Sequence, residues 1–329
     1  MDVSFSPRLN VIVGDKGTAK SQLLKLLYST LAAARTAAPD THLTKSSLNR
    51  AIAAKLLGVF RPEKLGRLAN RVQGRTRAEV SVKWEGIGGE VAFHFATNSR
   101  TEVTTTAIPS RPLEGTPVYI PTHELMSIYP GFVSLYNERA LEFDETWRDT
   151  ADFLGRPPLR GRRTLLSEGL LQPIEEVLGG SLSEDQGRFY LHQQGVGNLE
   201  MHLVDEGLRK LAMILRLAQS GTLVEGGYMF WDEPEANLNP ATIRPVAQVI
   251  RLLAQAGVQV FVATHSTFLL RELDLERDQD GVDETRVIAL RRGPGGVAAE
   301  EAPSMDELNL DSVKAFEAEM DQTDRFLRS

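Results

Sequence analysis

Leu9-Asn-Val-Ile-Val-Gly14-Asp-Lys-Gly17-Thr-Ala-Lys20-Ser21 is an apolar run that breaks at a glycine-flanked turn and continues into a helical pattern reaching about Ala34. An uncharged run of this length, from Leu9 to Val13, reads as a strand buried on both faces. Strand, glycine turn and helix in immediate succession form the first half of an α/β unit.

The turn, Gly14-Asp15-Lys16-Gly17-Thr18-Ala19-Lys20-Ser21, fits the phosphate-binding pattern G-x-x-x-x-G-K-[ST], with Ala19 in place of the second glycine. Backbone N–H groups and the helix dipole converge on such a loop, which favours an anion. Lys20 is then the group that reaches the β and γ phosphates of ATP, and the Ser21 hydroxyl is a Mg²⁺ ligand. Ala19 is expected in a right-handed helical conformation, where one extra methyl weakens phosphate binding without abolishing it. Read alone, the octapeptide is also a plain strand-to-helix turn with a solvated lysine, and both readings stand at this point.

Two further strand ends narrow the choice. Tyr228-Met-Phe-Trp231 is apolar and delivers Asp232 and Glu233 at its C-terminal end, where open α/β sheets bind ligands. Asp232 can hold the metal while Glu233 faces the attacking water as general base. Val260-Phe-Val-Ala263 ends in Thr264 and His265, and His265 can donate to a terminal phosphate. Taken one at a time these are an acidic turn and a structural histidine; three such ends in this order favour a nucleotide site.

Outward from these motifs, strands are expected at Pro117–Pro121 and Thr285–Leu290 and helices at 46–57, 62–73, 207–219, 241–255 and 267–273. Alternating segments at 79–84, 90–95 and 102–107, with Gly86, Gly88, Gly89 and Asn98 at the turns, read as an antiparallel lobe. The span 125–178 is mostly helical, broken at Arg156-Pro-Pro158 and Gly161, and 188–192 pairs with 199–203 as a hairpin. The expected fold is therefore α/β, a mostly parallel core sheet flanked by helices, in one composite head over 1–329. Residues 1–40 and 204–300 form its nucleotide-binding core, 41–116 a basic helical segment with the antiparallel lobe, 122–187 an inserted helical lobe, and 304–329 a C-terminal helix.

Composition excludes several alternatives. The chain has 329 residues, 25% of them charged, no cysteine and six histidines without ligand spacing, so disulfide and thiolate-metal chemistry are not expected. No apolar run is long enough to span a membrane, and MDVSFSPRLN lacks the layout of a secretion signal, so a cytoplasmic location is expected. Net charge is −7, yet residues 45–77 carry nine Lys or Arg against Glu63 alone. That segment is a candidate nucleic-acid contact or a solvated helix face, with Arg148, Arg160, Arg162 and Arg163 as an extension.

On the Gly14–Ser21 loop, the Asp232-Glu-Pro-Glu-Ala-Asn-Leu-Asn-Pro240 stretch and Ala263-Thr-His265-Ser, the chain resembles ABC-type P-loop ATPase heads of the SMC and OLD-like kind, found in bacterial DNA-maintenance and anti-phage defence systems. The resemblance implies a Walker B motif at Asp232 and Glu233, a D-loop containing Asn237 and a switch histidine at His265. It also implies a signature motif, for which Val204-Asp-Glu-Gly207-Leu-Arg-Lys210 is the candidate, with an acidic residue where serine is usual. A glutamine loop is implied near Ile120-Pro-Thr-His123-Glu124, without an identifiable glutamine. The implied activity is ATP hydrolysis with Mg²⁺ in a homodimer of heads that controls a protein effector, a nuclease or toxin, or a DNA transaction. The alternatives left open are a nucleotide-binding subunit of a membrane transporter and an ATP-gated scaffold with little turnover.

Overall fold

Strand β1 (Leu9–Gly14) lies between β10 (Gln259–Ala263) and β11 (Thr285–Gly293), parallel to both. Next to β10 runs β9 (Tyr228–Asp232), and β5 (Pro117–Ile120) closes that edge, again parallel. The other edge is β12 (Gly296–Ala302), antiparallel to β11, giving a six-stranded sheet of order β12-β11-β1-β10-β9-β5. This is a computed structural model, and it describes residues 1–37, 43–69, 76–84, 89–111, 113–138, 141–159, 165–224, 226–280, 284–293, 295–305, 307–308 and 314–328.

Side-chain alternation sorts the core into two layers. Ile12, Tyr119, Phe230, Phe261 and Ile288 face helix α1 (Lys20–Thr36) through Leu24, Leu27, Tyr28 and Leu31. From the opposite face Val11, Val13, Val118, Ile120, Met229, Trp231, Val260 and Val262 pack in one cluster with α6 (Glu206–Gln219) and α7 (Pro240–Gln255). Each such side chain contributes about 1.5–3 kcal/mol on burial, so the sheet is fixed from both sides. All parallel strands therefore end on one edge, beside the N-terminus of α1.

The antiparallel lobe is β2 (Arg77–Trp84), β3 (Gly89–Ala96) and β4 (Thr104–Ala107). Val91, Phe93 and Phe95 cover α2 (Lys45–Phe60) and the end of α1. Helices α3 (Tyr129–Asn137), α4 (Glu145–Leu154) and α5 (Leu165–Leu178) follow β5. A second antiparallel sheet, β6 (Gly180–Asp185), β7 (Arg188–Gln193) and β8 (Gly197–Glu200), then leads into α6. Helices α8 (Thr267–Asp280) and α9 (Lys314–Arg328) complete the chain, and no described helix is long and apolar enough to cross a membrane.

Four expectations change. The helix expected at 62–73 is a single 3₁₀ turn, Leu65–Leu68, because the Leu65 and Gly66 amides donate to the carbonyls of Arg100 and Ser99 instead of to a helical ladder. Residues 70–75 lie outside the described residues, as do Gly86 and Gly88 at an expected turn, and Arg160, Gly161, Arg162 and Arg163. The span 122–187 is not helical throughout, since its end is β6, and the core sheet draws β5, with the last two residues of β12, from outside 1–40 and 204–300. The expected pairing of 188–192 with 199–203 shortens to β7 with β8, because Met201–Leu203 is a 3₁₀ turn.

Candidate functional site

The loop leaving β1 turns on two glycines. Gly14 has φ +150° and a Cβ there would sit 2.5 Å from the Leu290 carbonyl oxygen, while Gly17 has φ +82°. Both positions require glycine for their backbone. Ala19 also lies in the left-handed region, with φ 69° and ψ 29°, as the residue capping α1. The expected right-handed conformation is thus not adopted, and the methyl group imposes backbone strain of about 1–2 kcal/mol.

Ala19 provides no side-chain cap, and no acidic residue occupies the first turn of α1. The positive end of a seventeen-residue helix dipole therefore faces the loop without a carboxylate of its own. Within the loop, the Thr18 hydroxyl donates to the Asp15 carbonyl, and the Lys20 ammonium donates to the Gly14 carbonyl at 2.6 Å and to that of Asp15 at 3.3 Å. Burial pushes Lys20 below its ordinary pKa, opposed by the carboxylates of Glu233, Asp232 and Asp15. Lys16 brings a second cation to the same turn.

From β9, Asp232 meets this loop directly. The Ser21 hydroxyl donates to Asp232 Oδ1 at 3.0 Å, and the Tyr119 hydroxyl donates to Oδ2 at 3.1 Å. Burial raises the Asp232 pKa, and those two hydrogen bonds act against it. Burial and the neighbouring Asp232 together push the Tyr119 phenol well above its ordinary range.

Past Asp232 the chain turns sharply. Glu233 has φ +48° and its amide donates to the Ala263 carbonyl at 2.8 Å, tying the turn to the end of β10. His265 Nδ1 lies 3.2 Å from Glu233 Oε1 and 3.5 Å from Glu235 Oε1. Glu235 is buried, accepts from the Thr264 hydroxyl at 2.6 Å and from the His265 amide at 3.2 Å, and its Oε2 has no hydrogen-bond partner among the described residues. Strand ends and loop thus bring Lys20, Ser21, Asp232, Glu233 and His265 together.

Gly207 and Asn237 belong to a second group beside the first. Asn237, at φ +62°, donates to Glu206 Oε1 at 3.2 Å, and its Nδ2 is 3.5 Å from His123 Nδ1. Gly207 packs against α7, and its amide donates to Asp205 Oδ1 at 2.9 Å. The first turn of α6 is thus capped by its own carboxylate, unlike that of α1.

The basic stretch is not one solvated face. Lys55 is part-buried and pairs with Glu145 at 2.7 Å and Asp149 at 2.8 Å on α4. Arg67 pairs with Glu63, Arg77 with Glu79, and Arg61 donates to the Phe143 carbonyl. Arg71 and Arg75 lie outside the described residues.

Sequence reasoning missed Tyr119 and Glu235. Glu235 stands in the quoted acidic stretch and had a local signal; Tyr119 acts across strands and had none.

The residues fit Mg·ATP on these observations. Two glycines form a cradle that Cβ atoms would obstruct or strain, the α1 terminus has no acidic side chain, and one hydroxyl and one carboxylate stand 3.0 Å apart. Mg²⁺ takes few protein ligands when phosphates supply the rest.

A family profile described as AAA domain, putative AbiEii toxin, Type IV TA system matches residues 90–271, which include Asp232 to His265 and exclude the Gly14 loop. None of the curated proteins matches the chain. Among solved structures, the SmcHead bound to the C-winged helix domain of ScpA is similar at 14% identity, 93% coverage of each chain and TM-score 0.51. The SMC head domain from Thermotoga maritima shows 13% identity, 91% and 92% coverage and TM-score 0.48. The Smc head domain with an extended coiled coil, bound to the C-terminal domain of ScpA derived from Pyrococcus furiosus, shows 13%, 93% and 92%, and 0.49. The first of these likenesses identifies the fold as that of an Smc head. With more than half its length matched, the chain belongs to this AAA domain family.

Proposed function

We propose that the protein binds Mg·ATP and hydrolyses it, and that nucleotide brings two heads together to control a protein effector. The observation that carries the reading is the meeting of Ser21 with Asp232 and of Glu233 with His265 on one sheet edge beside an α1 terminus with no acidic cap. Gly14, Asp15, Lys16, Gly17, Thr18 and Ala19 supply the backbone around the triphosphate, Lys20 its cation, and Ser21 with Asp232 the metal ligands. When bound, Mg²⁺ supplies charge neutralisation at the phosphate oxygens.

Glu233 takes a proton from water, and its backbone is held for that task by the Ala263 carbonyl. His265 stands against the same carboxylate and serves as a donor to the terminal phosphate. Gly207 and Asn237 are assigned to the face that meets a second head. Effector control follows the family description, which names a toxin of a toxin–antitoxin system, and the relatives bound to ScpA. A place in anti-phage defence and a nucleic-acid contact through 45–77 are part of the same reading. An ATP-gated scaffold is the second reading, supported by the strained Ala19 and the self-capped α6.

Phosphate release and light scattering test this directly. Glu233→Gln is expected to keep ATP binding, lose about 10²–10⁴-fold in turnover and accumulate a dimer with ATP. Equal turnover in the two proteins overturns the catalytic assignment; ATP-dependent dimerisation without turnover in either selects the scaffold.

A further inference from the structure

Tyr119 stands on β5, the edge strand next to β9, in register with Phe230. It is 2% exposed, and its hydroxyl reaches two residues beyond that register to Asp232 Oδ2 at 3.1 Å. The ring cannot swing away. Tyr28 meets it edge-on at 5.6 Å, and the Tyr119 carbonyl accepts a hydrogen bond from the buried Thr150 hydroxyl on α4. Tyr28 is itself fixed, its hydroxyl donating to Asp149 and its ring set against Phe230 at 6.1 Å.

Asp232 therefore has two donors, one on each oxygen, and they are not equivalent. Ser21 is a candidate ligand for the same cation, so its proton is not a dedicated support for the carboxylate. Tyr119 is the dedicated one: it belongs to another strand, is locked by packing and stands on the oxygen that Ser21 does not use. A carboxylate held at one oxygen keeps its plane, which presents the other oxygen in a fixed direction.

We propose that Tyr119 is a positioning residue for the metal carboxylate, its hydroxyl holding Asp232 so that Oδ1 stays turned toward Ser21 and the bound cation. This rests on the assignment of Ser21 and Asp232 to Mg²⁺. It also gives the helical lobe a physical connection to the site, because α4 fixes the Tyr119 backbone through Thr150.

The test is equilibrium binding of a fluorescent ATP analogue to wild type, Tyr119→Phe and Tyr28→Phe, in EDTA and across a Mg²⁺ series. Tyr119→Phe is expected to raise the Mg²⁺ midpoint about 10-fold, the lower end of what losing an outer-shell partner costs. Its affinity in EDTA is expected to match wild type. Tyr28→Phe, which loses a buried hydroxyl that does not touch Asp232, is expected to leave the midpoint where it is. An unchanged midpoint in Tyr119→Phe overturns the positioning role while the nucleotide reading stands. A loss in EDTA equal to the loss in Mg²⁺, or a Tyr119→Phe protein without a cooperative thermal melt, also overturns it, because either marks a merely structural tyrosine. Absence of Mg²⁺-dependent binding in wild type overturns the nucleotide reading itself.

Discussion

The Lys210 ammonium on α6 donates to the Ala236 carbonyl at 2.6 Å, and at 3.2 Å it also reaches the carbonyl of Pro234. Lys210 is fully buried, and the turn it holds contains two positive-φ residues, Glu233 and Asn237. Each such residue costs of order 1 kcal/mol or more and persists only when its surroundings over-determine it. Lys210 is one of those determinants, and it ties the helix of Gly207 to the turn of Glu233. Lys210→Met is expected to destabilise the protein by about 1–3 kcal/mol, since one buried and one part-buried carbonyl lose their donor. Urea unfolding measures it, and a change under about 0.5 kcal/mol, the size of an ordinary surface substitution, contradicts the role.

Alkaline stability separates Lys210 from Lys55, because their shifts have opposite signs. Burial lowers Lys210 below its ordinary 10.5, with Glu206, Glu235, Glu124 and Glu233 opposing. Between its folded pKa and 10.5 the unfolded chain holds the proton that the folded one has released, so this group adds stability as pH rises. Burial also acts to lower Lys55, but Asp149 and Glu145 outweigh it and hold the ammonium above 10.5, with the Tyr28 ring 6.0 Å away. Its contribution is complete below 10.5 and is lost as pH rises through the folded pKa. Stability followed from about pH 8 to about pH 11.5 is expected to lose its rise in Lys210→Met and part of its fall in Lys55→Met. At neutral pH Lys55→Met costs about 1–3 kcal/mol, because two part-buried carboxylates lose their ammonium while Asp149 keeps the Tyr28 hydroxyl and Glu145 keeps Arg148.

What the sequence disclosed follows the same physics. The parallel strands were legible because burial on both faces leaves uncharged runs such as Leu9–Val13 and Val260–Ala263. β12 and β6 were not, because Gly-Val-Ala-Ala-Glu-Glu-Ala and Gly-Ser-Leu-Ser-Glu-Asp carry small and acidic residues that an edge position tolerates. Leu65 and Leu68 have helical spacing, but the turn at Ser99 and Arg100 takes the amides a helix would need. Asp232 and Ser21 were legible as neighbours of a phosphate pattern; Tyr119 was not, because 113 residues separate it from the carboxylate it serves.

Ala19→Gly is expected to stabilise the protein. The left-handed conformation at φ 69° costs alanine about 1–2 kcal/mol, whereas glycine adopts it freely. Glycine also loosens the unfolded chain by about 0.4–1 kcal/mol, so the net gain is about 0.5–1 kcal/mol. Urea denaturation of the nucleotide-free protein measures this, and a loss of stability shows that the methyl group makes contacts that outweigh the strain.

Gly207 lies where α6 crosses α7, and a Cβ there would stand 2.2 Å from Thr242 Cγ2. Alanine at this position forces α6 away from α7 or turns Thr242 off its rotamer, and overpacking of this kind costs about 1–3 kcal/mol. The Thr242 amide and hydroxyl both use Asn239 Oδ1, the cap of α7, which restricts how far Thr242 can move. Thr242→Ser removes the clashing methyl and keeps both donors. The double variant Gly207→Ala with Thr242→Ser is therefore expected to recover at least half of what Gly207→Ala loses, a coupling of about 0.5–1.5 kcal/mol. Additive losses in that cycle contradict the contact and leave the need for glycine at 207 to the capping geometry with Asp205 alone.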